Sequence, residues 1–276
     1  MVNILFCGNE GVFDGVLTAA LSILMRTPPG EPFTFYLFTM DLTRLDPRYT
    51  PIPPRAVSFL ERVVKQFDAR SAVVPVDVTG LYEREFGGCP NEGAYCSPYT
   101  LIRLFADIVP QIPDKLLYLD ADVMFNRDAH LLYDIDVSGV EYAAARDHYG
   151  KYLIHPNYIN AGVLLFNMKK ARETGLFGKA RALIKTKKLV FADQSALIRS
   201  TTSRKVLPQR FNDQKFLHRH TVVRHFSKRL FYLPYPHTEN VKQWQVEKVH
   251  SLFGYTAFDD VYEKYLALRA AYQSEE

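Results

Sequence analysis

Asp120 and Asp122 stand two residues apart at the end of an apolar run, LLYLDADVMF. In an extended chain, side chains i and i+2 leave the backbone on the same face, so the two carboxylates converge. Two hard oxygen anions at one point suit a divalent ion such as Mn²⁺ or Mg²⁺, which keeps open positions for phosphate oxygens. The plainer reading, two solvated acids at a strand end, stays open on Asp-x-Asp alone. His225 adds a third donor, set inside the apolar run VVRHF and not in a polar loop. Imidazole with two carboxylates favours Mn²⁺ over Ca²⁺, although a histidine in such a run also serves as a hydrogen-bonded structural residue. His218 and His220, surrounded by charge, are weaker candidates.

These residues need a sheet to hold them. Residues 2–7 (VNILFC) form a short apolar run ended by Gly8, and Phe13, Leu17, Ala20, Leu21 and Leu24 follow at helical spacing. Residues 32–40 are aromatic and β-prone, Val57, Leu60, Val64 and Phe67 form a second helical stripe, and residues 72–78 are a third short strand. Further strands are expected at 115–120, 142–147 and 159–167, the last followed by a basic helix over 168–186. Ser97 and Pro98 read as a cap and first turn, with Leu101, Leu104, Phe105 and Ile108 as the buried stripe and Arg103 pointing away from it. Pro234, Pro236 and the stretch to Gln245 read as a loop, and Val261, Tyr265, Leu268 and Tyr272 as a closing amphipathic helix. Strands alternating with helices imply a mainly parallel sheet covered on both faces, which binds ligands at the carboxyl ends of its strands.

Composition narrows the classes. With 276 residues, 47% apolar and 23% charged, the chain can bury a sizeable core and is neither disordered nor fibrous. A net charge of +4 is too small to announce nucleic-acid binding. The surplus is uneven, however: Arg204, Lys205, Arg210, Lys215, Arg219, Arg224, Lys228 and Arg229 are opposed only by Asp213, which suggests a negative visitor. Cys7, Cys89 and Cys96 lack metal-ligand spacing and suit free thiols in a reducing, cytoplasmic setting. No signal or membrane-spanning segment is visible. Gly8, Gly11 and Gly15 do not make the dinucleotide fingerprint, and no phosphate-binding loop or zinc pattern occurs.

An ordered set of motifs runs over most of the chain: NILFCGNEG at the start, SPYTLIRL from Ser97, KLLYLDADVMF from Lys115, YINAGVLLFNMKKAR from Tyr158, DQSAL from Asp193, RFN from Arg210, VVRHF from Val222 and KQW from Lys242. In this set the sequence resembles the retaining family 8 glycosyltransferases, which include glycogenin and bacterial lipopolysaccharide galactosyl- and glucosyltransferases. The resemblance implies a GT-A fold: an α/β domain over 1–276 with a Rossmann-like central sheet, helices on both faces and a decorated C-terminal lobe. Its nucleotide-binding half would be 1–122 and its donor-sugar and acceptor half 123–276. It also implies a UDP-sugar donor carrying galactose or glucose, and Mn²⁺, with Mg²⁺ as the alternative, held by Asp120, Asp122 and His225. Cys7, Gly8, Asn9, Arg103, Asp120, Ala121, Asp122 and Lys242 would contact the nucleotide, Lys242 at the diphosphate near Trp244.

The same resemblance puts Arg103, Asp147 and Asn160 around the donor sugar, and Asp193 and Gln194 beside the anomeric carbon. Each has a plainer role: a solvated helix residue, a strand-end acid, a turn former and, for Asp193, the N-cap of a helix starting at Gln194. Retention is implied too. Gln194 cannot be a conventional nucleophile, which favours a front-face route with Gln194 stabilising positive charge and Asp193 orienting the sugar. By position, Tyr95 would line the acceptor site. Two departures stand out: Asn9 replaces the acid that many relatives use to read uracil, and KQW follows the ligand histidine only after a long insertion.

Two other classes compete. A nucleotidyltransferase could use the same metal pair and would release pyrophosphate instead of UDP. A non-enzymatic anion-binding module would rely on the basic stretch 204–229 and lose affinity steeply with salt. For the transferase, the same stretch suggests peripheral contact with an anionic inner-membrane face near a glycan, lipid-linked or protein-linked acceptor.

Overall fold

The computed structural model describes residues 1–93, 97–231, 233 and 235–275. Tyr95, Cys96 and Pro234 therefore lie outside the described residues. The strands are β1 (Val2–Cys7), β2 (Phe33–Thr39), β3 (Ala72–Asp77), β4 (Lys115–Leu119), β5 (Val123–Phe125), β6 (Tyr142–Arg146), β7 (Ile159–Asn167), β8 (Arg204–Leu207), β9 (Val223–His225), β10 (Arg229–Phe231) and β11 (His237–Glu239). The helices are α1 (Phe13–Arg26), α2 (Pro54–Lys65), α3 (Thr79–Phe86), α4 (His130–Tyr133), α5 (Gly150–Leu153), α6 (Met168–Thr174), α7 (Leu176–Thr186), α8 (Ala192–Ser200), α9 (Val246–Phe253) and α10 (Asp259–Ser274).

Seven strands form the central sheet in the order β3-β2-β1-β4-β7-β6-β8. All run parallel except β7, which is antiparallel to both β4 and β6. Alternation along the inner strands feeds two cores. Val2, Ile4 and Phe6 of β1 join the core beneath α1, α2 and α10, while Leu5 and Cys7 join the one that includes the 98–105 segment, α7 and α8. Each fully buried side chain of this size contributes about 1.5–3 kcal/mol. The chain leaves β1 toward β2 and β3 on one side and returns to β4 on the other, so the strand order reverses between β1 and β4. In open α/β sheets a ligand crevice forms at such a reversal, outside the carboxyl ends of the strands.

The alternation breaks in β7. Val163 and Leu165 face the first core, whereas Ile159 and Ala161 face the second. Against β6, Ala144 pairs with Leu164 but Arg146 pairs with Ile159, so β7 carries extra residues at 160–163. Bulges of this kind re-aim side chains beside functional sites, and this one carries Asn160 and Gly162.

Several expectations are corrected. Pro98–Phe105 is a 3₁₀ helix, not an α-helix, and its three-residue turn carries Arg103 inward: the residue is 2% exposed, whereas Ile108, beyond the helix end, is 44% exposed. The basic helix over 168–186 is two helices, α6 and α7, because Gly175 adopts φ 67° and caps α6 in the left-handed conformation. Within the expected loop before Gln245, β11 pairs with β10 as an antiparallel hairpin. The basic stretch is not one continuous face, since β8 lies in the main sheet and Arg224 is 1% exposed among Phe226, Phe253 and Tyr255. Among the described residues no helix is long and apolar enough to cross a membrane.

Candidate active site

Strand β4 is buried along most of its length and delivers Asp120 at its carboxyl end, where the sheet order reverses. Asp120–Asp122 is not extended chain, as period-2 alternation supposes; it is a turn joining β4 to β5. His225 joins the two carboxylates because β5 pairs with β9, whose terminal residue His225 lies opposite Val123. The backbone N–H of Asp120 donates to Gly162 O (2.8 Å) and that of Phe226 to Asp122 O (2.8 Å), which pins the turn to β7 and to the chain after β9.

One oxygen from each of Asp120 and Asp122 and one nitrogen of His225 lie within 4.8 Å of one another. His225 Nε2 is 3.0 Å from Asp122 Oδ1 and 3.9 Å from Asp120 Oδ2. Donors held cis about an octahedral ion at roughly 2.1 Å lie roughly 3.0 Å apart, the separation of His225 Nε2 and Asp122 Oδ1, while Asp120 Oδ2 stands farther off. Gly162 makes room for the cluster: a Cβ there would come within 2.3 Å of His225 Cε1 and 2.7 Å of Asp120 Oδ2. No side chain larger than hydrogen fits.

The acids are held from opposite sides. Arg103 donates from Nη2 to Asp120 Oδ1 (3.0 Å) and from Nη1 to Ala161 O, its Nε lies 3.2 Å from Asp193 Oδ2, and its guanidinium sits 3.9 Å over the Tyr118 ring. The Tyr118 hydroxyl also donates to Asp120 Oδ1 (2.6 Å), and burial keeps that hydroxyl protonated by raising its pKa well above the ordinary value. Burial likewise raises the pKa of Asp193, against the pull of Arg103. On the other flank, Lys242 Nζ is 2.5 Å from Asp122 Oδ2. Burial pushes the Asp122 carboxyl up, but Lys242 and His225 outweigh it and hold the group well below the usual carboxylate range.

A cleft of about 190 Å³ opens over this turn, lined by Cys7, Gly8, Asn9, Asp120, Ala121, Asp122 and Lys242 together with Trp244. Every expected nucleotide contact except Arg103, which lies behind Asp120, thus faces one cavity. Lys242 reaches Asp122 despite the insertion carrying the β10–β11 hairpin. The Cys7 thiol is raised far above its ordinary pKa by burial and is no nucleophile here. Asn9 Nδ2 donates to Arg48 O (3.0 Å).

The remaining expected residues gather beside β7. Gln194 Oε1 accepts from Ala161 N–H (2.9 Å), and Asp193 lies within the first turn of α8, which starts at Ala192; it is not an N-cap. Phe191, just before α8, has φ 51°, a left-handed backbone that an aromatic residue adopts only under constraint. Asn160 is a strand residue and not a turn former; its Nδ2 donates to Asp147 Oδ2 (2.9 Å). Asp147 in turn accepts at Oδ1 from the N–H groups of Tyr149 (3.1 Å) and Gly150 (2.6 Å). Residue-by-residue reading missed Tyr118 and Asn212. Two signals were present: Tyr118 is two residues before Asp120, near the end of β4, and Asn212 ends the RFN motif.

The family described as glycosyl transferase family 8 matches this sequence over residues 3–216, from β1 to beyond β8, with His225 and Lys242 past the matched stretch. A putative glycosyltransferase of Haemophilus influenzae is 24% identical over 189 residues, 65% of this chain and 52% of that protein. Glycosyltransferase GlyA of Streptococcus pneumoniae serotype 4 is 28% identical over 165 residues, 59% of this chain and 20% of that protein. The matched stretch thus spans about half of the first relative and a fifth of the second. Among solved structures, galactosyltransferase LgtC in complex with donor and acceptor sugar analogues superposes with a TM-score of 0.65 at 18% identity, covering 98% of this chain and 96% of that one. That likeness establishes the fold as GT-A type. With the match covering most of its length and the acid turn inside it, the chain belongs to glycosyl transferase family 8.

Proposed function

We propose that the protein is a metal-dependent retaining hexosyltransferase that moves galactose or glucose from a UDP donor to a glycan, lipid-linked or protein-linked acceptor. The observation that carries this reading is the convergence of Asp120, Asp122 and His225 in a cleft shared with Lys242. Family membership supplies glycosyl transfer; the donor set supplies the means of handling a diphosphate. Asp120, Asp122 and His225 would hold a Mn²⁺ or Mg²⁺ ion, which would supply Lewis acidity to the diphosphate leaving group.

The chain's own groups have separable tasks in this reading. Lys242, a quarter exposed, places a cation beside Asp122 at the cleft wall and binds diphosphate oxygens. Arg103 neutralises Asp120 and Asp193 from behind and fixes both carboxylates. Gln194, its carbonyl oxygen held by the Ala161 N–H, stabilises positive charge on the donor sugar in this reading. Asp193 is engaged by Arg103 and buried, which argues against its use as a nucleophile and favours the front-face route, in which the departing phosphate takes the acceptor proton.

The test is UDP release from a panel of UDP-hexoses, without acceptor, in Mn²⁺ and then in EDTA. Release from one sugar that stops in EDTA is the expected result. No release from any of them, together with no UDP binding by calorimetry, overturns the UDP donor. Pyrophosphate release from a nucleoside triphosphate and a sugar phosphate would favour the nucleotidyltransferase instead.

A further inference from the structure

His225 ends a three-residue strand that pairs with β5 on one side and bridges to Asp213 on the other, where its backbone N–H donates to Asp213 O (2.9 Å). A buried chain of amides holds its ring. His225 Nδ1 lies 3.0 Å from Asn212 Oδ1, Asn212 Nδ2 donates to Asn160 Oδ1 (2.8 Å), and Asn160 Nδ2 donates to Asp147 Oδ2 (2.9 Å). Asn212 is fully buried, Asn160 is 9% exposed and His225 3%.

The direction of this chain is fixed at its far end. An ionised carboxylate only accepts, and Asp147 is engaged by two backbone N–H groups on its other oxygen. Asn160 must therefore turn its NH₂ toward Asp147. Its carbonyl oxygen then accepts from Gly162 N–H (2.9 Å), a donor-only group, and from Asn212. Asn212 consequently presents its own oxygen to the imidazole, and Nδ1 carries the proton. Nε2 is thus the nitrogen that faces Asp122 and Asp120, and its lone pair would be the one a metal ion takes.

We propose that Asn212, backed by Asn160 and Asp147, is a positioning residue that fixes the tautomer and orientation of His225 for metal binding. The proposal rests on the metal reading of the Asp120, Asp122 and His225 cluster. It gives Asp147 and Asn160 a task at the metal side of the cleft that does not depend on their touching a sugar. It also explains the β7 bulge, which turns Asn160 toward Asn212 while placing Gly162 against the imidazole.

The test titrates the full chain with MnCl₂ in the absence of nucleotide and counts free ion by electron paramagnetic resonance. Asn212→Leu, near in size but with no polar atoms, is expected to weaken Mn²⁺ binding by roughly ten- to a hundredfold. Asn212→Asp keeps an acceptor at Nδ1–H but loses the donor to Asn160, so it is expected to bind Mn²⁺ less tightly than the parent yet more tightly than Asn212→Leu, with a lowered melting temperature from the buried charge. A packing role alone predicts the reverse order, with the leucine variant parent-like and the aspartate variant worse. Should Asn212→Leu fail to fold, Asp147→Asn decides: its amide cannot accept on both sides, and roughly fivefold weaker binding or more is expected. Parent-like affinity in Asn212→Leu or, in that case, Asp147→Asn overturns the relay while leaving the metal site intact. Absence of Mn²⁺ binding in the parent overturns the metal reading itself.

Discussion

The two flanks of the acid turn solve one problem in opposite ways. On the sheet side, Asp120 is held by Arg103 and Tyr118, and Arg103 also carries Asp193; on the lobe side, Asp122 is held by His225 and Lys242. The Arg103 side chain is 2% exposed and that of Lys242 25%. A guanidinium sealed between two acids has no room for a ligand and serves to fix them. An ammonium at a cleft wall can exchange a carboxylate partner for a phosphate oxygen. The sheet flank is thus built to be rigid, and the lobe flank to be occupied.

The largest effect should come from removing a donor on the lobe flank. Asp122→Asn is expected to lower metal-dependent donor hydrolysis by roughly a hundredfold or more, because charge developing on the diphosphate loses its stabilisation. EDTA should do the same to the parent. Melting temperature should also fall, because Asp122 loses its ion pairs with Lys242 and His225, so retention of the fold is checked by circular dichroism. Arg103→Met tests the other flank and should act on stability first. It leaves the carboxylates of Asp193 and Asp120 without their buried cation, a change that costs about 3–5 kcal/mol, readable by urea unfolding. Equal stability of this variant and the parent would dissolve the distinction between the flanks.

Legibility followed the same division. The strands of the sheet flank could be read because both their faces are buried and their apolar runs are nearly unbroken, as in VNILFC and KLLYL. Arg103 could not, because α-helical spacing turns it outward and only the tighter 3₁₀ turn brings it in. On the lobe flank, His225 was visible as a polar residue in an apolar run, and Lys242 only through resemblance to a family motif. No sequence spacing states that residue 242 meets residue 122, since that contact depends on how the hairpin insertion folds back. Asn212 ends the RFN motif with no role legible there, because an amide's role is set by which neighbours can only accept and which only donate.

Lys242→Met sharpens the comparison at lower amplitude. The pair with Asp122 is only partly exposed, so stability should fall by about 1–2 kcal/mol, less than for Arg103→Met. Loss of a charge-assisted contact to the diphosphate should raise the donor KM roughly tenfold, with a smaller change in kcat. Steady-state kinetics over donor concentration separates the two. A fall in kcat alone would move Lys242 from binding the ground state to stabilising the transition state.

The smallest signal is electrostatic and has opposite sign on the two flanks. Asp122 is held below its ordinary value by Lys242 and His225 against the opposing push of burial, so its contribution to stability is complete above the unfolded value of 3.8 and is lost as pH falls toward the folded value. Asp193 is raised by burial, so its contribution is complete below 3.8 and is lost as pH rises through its folded value. Melting curves in EDTA between pH 3 and 7 should therefore diverge. The parent's advantage over Asp122→Asn should hold from pH 7 to about 5 and shrink below about 4, whereas its balance against Asp193→Asn should worsen as pH rises above about 4. Parallel slopes would mean that both carboxylates sit in one electrostatic environment, and that Arg103 and Lys242 differ only in exposure and not in what they do to the acids they hold.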